Sequence, residues 1–234
     1  MIPQMLDREA AMAARAKHYR ARADRPSNRR DSFDGTQARA RATLRDYTLR
    51  EETSDAGVDE LIFEGYASIT DTWYEMYDWY GVYLEKVRSA AFFETLAQPD
   101  LDVPLVLQHD SLRRIARTTN TTLWLSEDDQ GLRVQAKLNP LDHDVAYIRN
   151  KLDEGLIDEM SFRFRILEGL WNEDFTEFEI IKVDIHRGDV AIVGYGANPY
   201  TVGAGLVSGD RAPALNLTKR GSDLITDWDI ALRV

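Results

Sequence analysis

A period of two marks the chain's clearest segments. From Gly131 to Leu138, Leu132, Val134, Ala136 and Leu138 alternate with Arg133, Gln135 and Lys137. That is a strand with one buried face. Thr121 to Ser126 precedes it across the polar turn Glu127-Asp128-Asp129-Gln130-Gly131, so the two predict a hairpin. Leu61 to Thr70, Leu84 to Val87 and Asp102 to His109 also read as extended, and Pro104 points to an edge or a strand start. Met160 to Leu167, Phe175 to Ile185 and Val190 to Tyr195 make three more, with Asn172-Glu173-Asp174 as a turn. Helical spacing appears between Asn139 and Gly155, where Val145, Ile148 and Leu152 recur at i, i+3 and i+7. Asp142 or Asp144 serves as cap, and Gly155 ends the helix. Ser89 is placed to cap a short helix over AAFFETLA. The aromatic run Trp73, Tyr74, Tyr77, Trp79, Tyr80 and Tyr83 is expected mostly in the core. These elements predict an α+β, mainly β body of six to eight strands with two inserted helices.

The flanks differ. Leu6 to Arg25 predicts a polar helix with few apolar residues to bury, and Pro26 to Gly35 reads as a linker. Residues 1–50 are therefore expected to form a basic, poorly ordered leader, 51–205 the functional domain, and 206–234 a mobile tail. Charge sharpens the division. Residues 1–50 hold 12 of the 29 Lys+Arg and 6 of the 40 Asp+Glu, although the whole chain of 234 residues carries -11. An acidic body argues against nucleic acid as a partner. No run is apolar enough to cross a membrane. The absence of cysteine removes disulfides, thiolate metal sites and a thiol nucleophile, and points to a reducing compartment.

The chemistry must then come from other side chains. No histidine pair has zinc-ligand spacing, and the glycines of 203–209 lack the lysine and the following helix of a phosphate loop. The carboxylate pairs Glu51-Glu52 and Asp128-Asp129 sit in polar stretches and read as solvated. No metal and no cofactor is expected. In Met160-Ser-Phe-Arg-Phe-Arg-Ile166, alternation turns Ser161, Arg163 and Arg165 away from the apolar side. A serine hydroxyl needs a base, most often histidine, held by a third group. His109, at the end of an apolar strand, is the economical partner for Ser161, and Asp189 is the candidate orienter. Composition alone does not single out these three residues.

The order of the motifs does. FEGYASI (63–69), VYLEKVRSAAFFETL (82–96), VLQHD (106–110), the hairpin 115–138, MSFRF (160–164) and DVAIVGYGANPY (189–200) together resemble the prohead, or capsid-maturation, serine proteases of tailed bacteriophages. In that family the segments read L-x-N-H-D and M-S-F-G-F, so Arg163 stands where glycine is usual. The resemblance implies that Ser161 is the nucleophile, His109 the base and Asp189 the third member, with His143 and His186 as rivals for that place. It implies a closed or nearly closed antiparallel β-barrel with surrounding helices, similar to herpesvirus assemblins, and a homodimer. It further implies cleavage of the major capsid protein or scaffolding segments inside the immature capsid, in the host cytoplasm, with self-cleavage. A non-catalytic capsid assembly or scaffold protein that kept the fold is the alternative.

Overall fold

The computed structural model describes residues 8–27, 29, 40–43, 48–53 and 59–194, with 40–60 entering as backbone only. In chain order the elements are α1 (Arg8–His18), β1 (Ala40–Thr43), β2 (Thr48–Thr53), β3 (Asp59–Ile69), β4 (Tyr74–Tyr77) and β5 (Val82–Val87). There follow α2 (Phe93–Leu96), β6 (Pro104–Leu107), β7 (Arg114–Arg117), β8 (Leu123–Glu127), β9 (Gly131–Leu138), α3 (His143–Asp153), β10 (Glu159–Trp171) and β11 (Glu177–Val193). The tail, the glycines of 203–209 and the end of the last motif lie outside the described residues.

Period-two alternation builds the strands as expected. Leu132, Val134, Ala136 and Leu138 of β9 are buried, each such side chain contributing about 1–3 kcal/mol. β9 pairs antiparallel with β8 and β3, and β2 completes a four-stranded sheet. The second sheet runs β1-β10-β11-β5-β4, and β6 and β7 join it through β11. One apolar cluster draws Leu61, Phe63 and Val134 from the first sheet and Phe162, Ile180 and Ile192 from the second, so the two sheets pack face to face over a shared core.

This is not the expected barrel. Both sheets are open, and the larger is mixed: β11 runs parallel to β5 through residues 177–180 and parallel to β6 through residues 190–192. Alternation tells which side chains point inward, but closure depends on which edges pair, and that is set by the connections. β11 spends its one edge on two successive parallel neighbours, so the sheet branches instead of closing.

Phe175–Ile185 and Val190–Tyr195 are expected as separate strands, but β11 (Glu177–Val193) joins the described parts of both in one strand, with Tyr195 outside the described residues, and the IHRGD stretch is a bulge inside it. The register steps from Arg163↔Asp189 to Arg165↔Asp184, Arg187 takes φ 59°, and a Cβ on Gly188 would lie 1.9 Å from the Arg163 carbonyl oxygen. Only glycine permits that approach. α2 is also shorter than read: its N-cap is Phe92, with no side-chain cap, and Ser89 lies outside it. α3 conforms. Asp142 caps it by accepting from the Asp144 and Val145 amides, and Val145, Ile148 and Leu152 face the core.

α1 is the polar helix read from the sequence, but its anchor is ionic. The Arg15 guanidinium is buried, donates to both Asp78 oxygens at 2.8 and 3.0 Å, and reaches the carbonyls of Phe175, Gly81 and Val82. It lies over the rings of Tyr83 and Trp171. Tyr19 stacks on Trp171 and donates to Asp78. Apolar counting overlooks such a contact, because a satisfied guanidinium can be buried as deeply as leucine.

Candidate active site

The site is built at the ends of β6, β10 and β11. β10 and β11 pair Ser161 with Ala191 and Arg163 with Asp189, so all four side chains share one sheet face. Across β11, Ala191 meets Val106 of β6. Ala191, Val106 and Val193 form a small apolar cluster separate from the main core. Ser161 is buried beside it, at 1% exposure.

β6 ends in a tight turn that delivers His109. The Gln108 amide still bonds the Ile192 carbonyl at 2.9 Å, and the Asp110 amide returns to Leu107. Gln108 and His109 both adopt left-handed φ, 53° and 57°. Two consecutive non-glycine residues there store strain, a pattern that gathers at functional sites. Arg113 ties the loop to α3 through Asp144 at 2.5 Å, and its guanidinium covers Tyr147.

His109 is buried and its Nδ1 lies 2.5 Å from Asp189 Oδ1. A carboxylate oxygen accepts, so Nδ1 is the donor, and in the neutral form of the ring Nε2 presents its lone pair. Nε2 is buried and has no hydrogen-bond partner among the described residues. An orphaned buried nitrogen costs free energy, and functional sites are where that cost is tolerated. Arg163 contacts Asp189 Oδ2 at 3.4 Å and donates to the His109 carbonyl at 3.3 Å.

Of the rival histidines, His186 accepts from the Asp102 amide through Nδ1 at 3.3 Å. His143 is exposed at the first turn of α3. Among the described residues, the His109 ring bonds Asp189 and neither of these. Arg165, on the same face of β10, turns to Asp184 and the His186 carbonyl. Among the described residues no His/Asp/Glu group could hold a metal ion. Asp142 and Asp144 are engaged in the helix cap and the Arg113 pair.

A second buried polar group escaped the sequence reading. Glu85 accepts from Arg29, Tyr74 and Tyr83, and burial first, then the Glu85 charge, drives both tyrosine pKa values well above the usual range. The signal was there: alternation through 82–87 places Glu85 on the side of Tyr83 and Val87.

An imidazole fixed by a carboxylate, beside the sheet face that carries a serine, can in its neutral form accept a hydroxyl proton, the chemistry of the serine-nucleophile hydrolases. Residues 45–210 match the family described as Caudovirus prohead serine protease, and the chain belongs to it. It is a serine endopeptidase of bacteriophage capsid maturation, with capsid proteins as substrates inside the procapsid. No curated protein and no solved structure matches the chain. No helix among the described residues is long and apolar enough to cross a membrane.

Proposed function

We propose that Ser161, His109 and Asp189 carry out the cleavage, and that the enzyme cuts scaffold or capsid-protein segments in the prohead and its own chain. The single observation behind this is the His109–Asp189 hydrogen bond at 2.5 Å with Nε2 left open. Nε2 takes the Ser161 proton as Oγ attacks the peptide carbonyl. The tetrahedral intermediate expels the amine, which leaves with that proton. Water, deprotonated by the same nitrogen, then hydrolyses the acyl-enzyme. Asp189 holds the ring's tautomer and stabilises the imidazolium.

Incubating wild type and Ser161→Ala and following fragment masses tests this. Wild-type chains are expected to shorten while the alanine variant stays whole. Equal cutting in both, or in neither when capsid protein is also offered, overturns the assignment.

A further inference from the structure

The edge of β10 beside Ser161 is occupied by the chain itself. β1 runs antiparallel along it, with Ala40 opposite Phe162, Arg41 opposite Ser161, Ala42 opposite Met160 and Thr43 opposite Glu159. The other side of β10 is taken by β11, so β1 covers the edge left for an incoming strand. Extended peptides bind such edges by completing the ladder. A side chain standing perpendicular to a strand overlooks the flat face of the neighbouring strand's peptide groups. A nucleophile must reach a carbonyl carbon from that face.

β1 is also placed to be temporary. It has four residues and lies at the sheet margin, where strands open most readily. The family match begins at residue 45, after β1 ends, so the strand lies outside the region matched to the family.

We propose that Ala40–Thr43 occupies the substrate position of this peptidase, so that the resting chain blocks its own site, and that substrate binds as an extended antiparallel strand on β10 after displacing it. This rests on Ser161 being the nucleophile.

The test is the rate at which an alkyl fluorophosphonate labels Ser161 in the full chain; Oγ–P forms, P–F breaks, fluoride leaves and the hydroxyl proton goes to the base. The double variant Arg41→Pro/Ala42→Pro removes two amide donors, one of which faces β10 whatever the strand's parity. Loss of a ladder bond and of the strand's fit is expected to raise the rate about tenfold. A free peptide of residues 36–47 is expected to slow the variant again. Glycine at positions 40–43, which weakens the strand without blocking it, should give a smaller rise. An unchanged rate in both variants, or no slowing by the peptide, overturns the proposal. If no chain is labelled at Ser161, the failure lies with the catalytic assignment instead.

Discussion

Asp189 is the residue on which the site's geometry turns. Replacing it with asparagine keeps the shape but lets the ring present its other tautomer, and the fluorophosphonate labelling rate is expected to fall by about 10²- to 10⁴-fold. Arg163 acts on the same carboxylate. Arg163→Gln removes the contacts to the Asp189 carboxylate and the His109 carbonyl and is expected to slow labelling, with partial recovery in Arg163→Lys. Ser161, His109 and Asp189 come forward as candidates because a motif order carries them. Arg163's bond to the His109 carbonyl does not, since a bulge and a left-handed turn bring those atoms together and neither leaves a mark in hydrophobic alternation.

Single elements depend on contacts of a different kind. Arg15→Ala would leave Asp78 charged, buried and without its main partner, which is expected to lower stability by about 3–5 kcal/mol, read from urea unfolding. Lysine should recover little, because five donors in a fork meet a carboxylate and three carbonyls. Gly188→Ala sets a methyl against the Arg163 carbonyl. It should cost about 1–3 kcal/mol and reduce Ser161 labelling, because the same bulge sets the Asp189 register. β9 and α3 were readable to within a residue or two, since each buries one regular face. The length of β11 was not, because His186, Arg187 and Gly188 look like a turn from their composition and become a bulge only when β10 is alongside. The leader helix was visible as a helix, yet its docking was hidden in one arginine.

At the scale of the molecule, acid should unfold the protein through its bound carboxylates. The Arg117 hydrogen bond, working against burial, holds Asp102 below its ordinary range. Burial pushes Asp184 up, but the His186 amide and Arg165 outweigh it and leave it lowered. A carboxylate with a depressed folded pKa contributes stability above its unfolded pKa and loses it as pH falls through the folded one. Unfolding midpoints are thus expected to drop below about pH 4, and Asp102→Asn should flatten that drop. Sheet closure lay beyond the sequence because it is decided by edges, and one strand with two parallel partners has no local signature.

The Arg15 clip also bears on what a cleaved molecule would look like. A break anywhere from 30 to 39 would leave the first helix fastened to Asp78, Gly81, Val82 and Phe175. Sizing under native conditions would report an intact particle, while denaturing electrophoresis of the same sample would resolve two bands.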